Sequence, residues 1–324
     1  MRDAKAQRAA APRHDHVVSA AQRMRHLLLR LEDMPAVVLV AAAGATVGTA
    51  IVLGSEAGWP RVLRLIAEPH SWLWLLACLA GESAAYFGYA LTLRDMARVD
   101  DGAEMSLGLS TRTVVGGFGV FAATRASGGF AVDYWAFRKT GAGRREAVAR
   151  VLGLGFLEYA LLSTGALAAS VALFFRLDGH ASPAATLPAL TVVPAFAVAW
   201  WVTSPKRVER LSRPRKGFGR RMFADSVAGA HYVRRLLASP REHGLGLAGN
   251  AVYWSGDILC LWAALQIVGV HVTVSALVLA YTGGYVLTRR ALSAGGAGIV
   301  EAALTFALVG MGARFVPALV GVIV

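Results

Sequence analysis

The chain has 324 residues, 56% of them hydrophobic and 16% charged, with 33 Lys and Arg against 20 Asp and Glu, a net charge of +13. Its mean hydropathy is positive, as expected where long apolar runs alternate with short charged loops in a membrane protein. The basic residues cluster beside the apolar runs, which points to anionic lipid head groups and topology and away from nucleic acid.

Cys78 and Cys260 are the two cysteines, both inside apolar runs, so a disulfide framework and a cysteine metal site are excluded. The eight histidines show no ligand spacing, and no metal or other cofactor is expected.

Residues 1–34 carry seven Lys and Arg, and Val17, Ala21, Met24, Leu28 and Leu31 recur at spacings of four and three. This predicts a basic amphipathic arm on the cytoplasmic membrane surface. The arm is too long and arginine-rich for a cleaved signal peptide, so the first apolar run, Pro35 to Gly54, is expected to stay as an anchor. A second span is predicted from Ser71 to Leu93, opening with Trp72 and Trp74 at the interface and carrying Glu82 as a helix-pairing polar residue.

From Thr113 to Thr124 the chain is apolar and glycine-rich, yet Arg112 and Arg125 bound it. Twelve residues make about 18 Å of helix, less than the hydrocarbon thickness. A re-entrant element is therefore predicted, entering and leaving on one face. Gly128, Gly129 and Asp133 follow, then a basic run through Arg138, Lys139, Arg144, Arg145 and Arg150.

Further spans are predicted at Val151 to Phe175, with Glu158, and at Leu187 to Thr203, ending in Trp200-Trp201. A basic cytoplasmic loop covers residues 204–243, where eleven Lys and Arg face three acids and the second half has helical periodicity. Spans at Leu245 to Val268, with Asp257, and at Val272 to Leu287 come next. The run from Phe315 to Val324 is too short to cross unless it continues the preceding helix. With the N-terminus cytoplasmic and residues 113–135 re-entrant, only Arg61, Arg64 and Arg176 of the 33 Lys and Arg fall outside, as the positive-inside rule requires.

The last element repeats the first. Thr288-Arg289-Arg290 leads to a second glycine-rich break at Gly295 and Gly296, and then to Glu301. Charge in hydrocarbon costs roughly 2.5–3.5 kcal/mol per residue at a helix centre, so such a cluster calls for a purpose. Glycine breaks in paired apolar segments predict discontinuous helices whose free N–H groups favour a phosphate. Arg125, Arg289 and Arg290 suit bidentate pairing with a phosphodiester. Asp133 and Glu301 would balance those arginines or hold a cationic head group, and Glu158 and Asp257 are candidate cavity acids. Tyr253, Tyr281 and Tyr285 are candidates to line a head-group path; against all this stands the plainer reading, in which the glycines serve close helix packing, the arginines mark the membrane boundary and the tyrosines are aromatic core.

Gly128, Gly129, Asp133, Arg138 and Glu158, with the later Gly295-Gly296-Ala297-Gly298-Ile299-Val300-Glu301, resemble the lysylphosphatidylglycerol synthase transmembrane-region family over roughly residues 35–324. The resemblance implies a polytopic inner-membrane protein similar to the flippase half of the bifunctional lysyl-lipid enzymes. Ala126-Ser127 and Ser293-Ala294 stand where prolines often precede the family's glycines. No aminoacyl-transfer domain follows in this sequence, so lysyl transfer by this polypeptide is not expected.

The expected fold is an all-α polytopic membrane bundle of about six to eight membrane helices with two re-entrant or broken glycine-rich elements. A single transmembrane domain, residues 35–324, would follow the arm. The expected function is translocation of a lipid or lipid-linked intermediate in the bacterial inner membrane, with membrane lipids as partners and self-association left open. A membrane-embedded transferase using a lipid-linked donor, or a non-catalytic accessory subunit, are the alternatives. No catalytic constellation stands out, since the first external loop offers only Glu56 and Glu68 as acids.

Overall fold

A computed structural model describes residue 60 and residues 69–124, 128–179, 183–213, 217–289 and 296–323. The amphipathic arm and the first span fall outside these residues. So do Arg125, Arg290 and Gly295. Within them the protein is all helix, without a strand: α1 Pro69–Arg98, α2 Leu107–Thr124, α3 Gly128–Lys139, α4 Arg144–Phe174, α5 Val192–Val202, α6 Pro205–Leu211, α7 Phe218–Ala238, α8 Pro240–Ile267, α9 Val274–Arg289, α10 Gly296–Gly310 and α11 Phe315–Ile323. A short turn, Pro183–Thr186, and a 3-10 helix, Leu187–Thr191, lead into α5.

The frame is an antiparallel pair, α1 against α8. Gly81 meets Gly256 and Gly88 meets Gly249, so closely that a Cβ on Gly88 would lie 2.4 Å from the Gly249 carbonyl oxygen and one on Gly81 2.6 Å from that of Gly256. Small residues every seventh position let two membrane helices approach backbone to backbone, which replaces the hydrophobic drive that lipid removes. Past the glycines, the Thr92 hydroxyl donates to the carbonyls of Gly88 (3.0 Å) and Gly246 (3.1 Å). The buried Asp95 carboxylate accepts the Gly246 N–H at 2.6 Å, just beyond the kink that non-helical His243 puts in the first turn of α8. The helix start there leaves N–H groups without intrahelical partners, and Asp95 supplies one from the neighbouring helix.

Arg150, only 2% exposed, locks the other side of this end. Its guanidinium donates to the carbonyls of Met96 and Val99 (3.0 Å for the latter) and to Glu146 at 2.8 Å, and lies over the Tyr232 ring. A cation at the last carbonyls of α1 opposes the negative end of the helix dipole. The contact joins α1, α4 and α7. Burial lifts the Tyr232 hydroxyl above its ordinary range, offset in part by the nearby Arg150, so the ring stays neutral at physiological pH. More exposed ion pairs, Arg145–Asp225 and Arg235–Asp100, tie α7 to α4 and to the turn after α1.

α2 begins six residues before the predicted element, because Ser106 Oγ accepts the Leu109 N–H and caps the helix start. Arg112 thus lies inside α2, exposed, and does not bound it. α2 and α3 pack on each other. α3, at 12 residues, spans about 18 Å and is too short to cross alone. α9 and α10 form a second packed pair. α11 is a separate helix packed on α10, set off by Gly312 at φ 97°.

Among the described residues, α4 is long and apolar enough by itself to cross a bilayer, and the Leu187–Val202 segment with α6 forms a pair bent by 75°. α1 and α8, at 30 and 28 residues, have the length, but polar residues on their facing sides lower their hydropathy. α5 has no buried residue although nearly every one is apolar, and Trp201 is 59% exposed. In water such a helix would leave an unprotected patch; in lipid it is at home. The segment predicted as a basic loop at 204–243 is itself folded, into α6, α7 and the first turn of α8.

Candidate functional site

Where α1, α2, α3, α8 and α9 converge, the bundle encloses an aromatic cluster that ends in carboxylates. On α1, Glu82, Tyr86 and Tyr89 follow one another at spacings of four and three. On α8, Asn250, Tyr253 and Asp257 do so at three and four. Each set therefore lies along one face of its helix. The antiparallel seam carries the two faces past each other.

Tyr89 stands 5.1 Å from Tyr253, ring centre to ring centre, and Phe118 of α2 stacks on Tyr86 at 4.7 Å. Tyr253 in turn lies 4.5 Å from Trp254, and Trp254 4.9 Å from Tyr285 of α9, which stacks on Tyr281 at 5.6 Å. Edge and offset contacts of this kind each add about 0.5–1.5 kcal/mol beyond area burial.

At one end of the cluster the Tyr89 hydroxyl donates to Asp133 Oδ2 at 2.8 Å, and both residues are buried. At the other end the Tyr281 hydroxyl donates to Asp257. Glu158 on α4 is buried, at 1% exposure, and Asn250 beside it in the bundle donates to the Leu157 carbonyl at 3.3 Å. Two buried polar atoms, Asn250 Oδ1 and Trp254 Nε1, have no protein partner. Buried polar groups in a membrane interior are costly and mark functional regions.

The structure sorts the predicted residues into groups. Asp133 and Asp257 belong to the cluster, held by tyrosines at its opposite ends, and Glu158 is fully buried on α4. Gly128 and Gly129 lie in α3 and Gly296 in α10, each beside residues outside the described ones. Arg289 is the last described residue of α9, and Glu301 lies in α10. The two broken elements reach a common core, to which α2 and α3 contribute Val114, Ala136 and Phe137, α9 Tyr281 and α10 Leu304.

Tyr86, Tyr89 and Phe118 were not among the predicted site residues. The signal that would have found the tyrosines is the matching polar-aromatic spacing on α1 and α8. Arg150 was read as one more member of a basic run, although the spacing of Glu146 and Arg150 already marks an intrahelical pair. Among the described residues no group of His, Cys, Asp and Glu side chains is arranged to hold a metal ion.

The family model described as lysylphosphatidylglycerol synthase TM region matches residues 35–324. No curated protein and no solved structure matches the chain.

Proposed function

Because the chain belongs to the lysylphosphatidylglycerol synthase TM region family, a membrane family of lipid biosynthesis and translocation, we propose that it moves a phosphate-bearing lipid or lipid-linked intermediate between leaflets. The observation that carries this reading is the pair of helix hairpins. α2 packs on α3 and α9 on α10, and in each pair the sequence at the junction of the helices carries arginine and a glycine pair, with an acid, Asp133 or Glu301, five residues beyond Gly128 or Gly296. A helix start offers unpaired N–H groups and positive dipole to a phosphate. Arginine adds a bidentate donor. Discontinuous helices meeting near the midplane are how membrane transporters hold charged cargo while the fatty chains stay in lipid.

On this reading both hairpins are re-entrant and open toward the cytoplasm. Arg125, Arg289 and Arg290 receive the phosphate, while Asp133 and Glu301 balance the arginines when no lipid is bound. The tyrosine-lined cluster between Asp133 and Asp257 forms the polar wall of the path. The protein then lies in the bacterial inner membrane with residues 1–34 and 204–243 cytoplasmic.

The test is reconstitution into vesicles with fluorescent lipids of differing head groups, read by quencher accessibility from one leaflet. Transfer of one lipid class is expected, falling at least about tenfold, or roughly 1.4 kcal/mol in barrier, in Arg290→Ala and in Glu301→Gln at equal protein abundance. Full transfer in both variants would overturn the assignment of the hairpins. A covalently altered lipid in the extract would instead identify a transferase.

A further inference from the structure

Away from the hairpins, α4, α5 and α7 line an open groove of about 530 Å³. Pro194, Val198 and Val202 form one wall, Val227 and Ala230 the other, and Phe156 the floor. The volume is that of a small-molecule site, and its lining is apolar.

Two features say what covers it. Thr203 ends the groove at the C-terminus of α5, where Trp200 and Trp201 sit, the residue type that marks the lipid–water boundary. At that mouth Arg234 donates to the Trp200 carbonyl at 2.6 Å and lies over its ring at 4.2 Å, while Arg207 donates to the Trp201 carbonyl at 2.8 Å and lies over its ring at 3.6 Å. The four ion pairs of the described residues involve neither arginine. Two half-buried guanidiniums, held in place by stacking and by the last carbonyls of α5, thus face the head-group layer with positive charge left over. Arg220 and Arg221 add to the same sign at the start of α7.

From this juxtaposition we infer that the groove is a binding site for an anionic phospholipid of the surrounding bilayer, one acyl chain lying between α5 and α7 and the phosphate held by Arg207 and Arg234. The charge pattern selects the ligand. A zwitterionic lipid would bring its own cation to a mouth that is already basic, whereas a phosphatidylglycerol-type head group neutralises it. The lipid is a resident of this site and is distinct from the cargo of the hairpins. It fills the space between α5 and α7 and braces α7 against the membrane.

The probe is phosphatidylglycerol carrying a diazirine near the end of one acyl chain, mixed into phosphatidylcholine vesicles that hold the full chain. Photolysis of the unmodified protein should place crosslinks on α5 and α7 at Val198, Val202 and Ala230. The same diazirine on phosphatidylcholine should label those positions several-fold less. Labelling confined to the outward residues of α1, such as Leu73 and Leu76, or equal labelling by both lipids, would overturn the proposal. Arg207→Gln with Arg234→Gln should remove the preference for phosphatidylglycerol several-fold, and Val198→Trp should block labelling at Ala230 with either lipid. Retained preference in the double variant, or unchanged labelling of Ala230 in Val198→Trp, would also overturn it. Each outcome is independent of whether leaflet transfer is found.

Discussion

Along the α1–α8 seam the backbones touch, with Gly81 and Gly88 against the carbonyls of Gly256 and Gly249, whereas α5 meets α7 through a single arginine–tryptophan stack, Arg234 on Trp200, and leaves an apolar groove between them. Both pairs stand in the same membrane protein. The first excludes lipid because small residues let N–H, C=O and Cα–H groups of two helices come within contact distance. The second keeps bulky rings at its contact and so leaves room beside them. The seam is built as a frame, the groove as a surface open to ligand.

Three substitutions test that contrast, each read as a shift in thermal unfolding of the purified protein. Gly88→Leu should be the most damaging, about 3 kcal/mol, because its Cβ alone would stand 2.4 Å from a backbone oxygen and overpacking forces the helices apart. An unshifted midpoint would show that the seam yields freely and is no frame. Arg150→Ala comes next, at about 2–3 kcal/mol, since it strips the buried carbonyls of Met96 and Val99 of their donor. Arg150→Lys should recover part of the loss; complete recovery would mean that charge alone, without the planar fork, holds this end. Val198→Ala should be the mildest, within about 0.5 kcal/mol, because Val198 is 60% exposed in the groove. A loss as large as that of Gly88→Leu would erase the distinction between the two regions.

The helices themselves were legible because apolar runs, glycine breaks and charge clusters are local signals. The start of α2 was misjudged by six residues because the count ran from Arg112. Ser106, the residue whose side chain caps the helix, was the better guide.

Within the candidate site, Asp133 and Asp257 were legible as acids out of place in apolar surroundings. Their partners were not. Tyr89 and Asp133 are 44 residues apart, and Tyr281 and Asp257 are 24 apart on different helices. Nothing local to either residue announces such a pair.

Composition and apolar patterning were enough to mark an all-helical membrane protein of this family and to show which charges stand among apolar residues. Composition and periodicity act over a few residues, and the cost of charge in hydrocarbon applies wherever the charge lies. That Gly81 and Gly88 face Gly256 and Gly249, that Arg150 is buried while Arg145 is not, and that an aromatic cluster joins Asp133 to Asp257 became visible in the packed bundle alone. Those facts depend on which faces of distant helices meet, and that choice is made by close packing of the whole bundle.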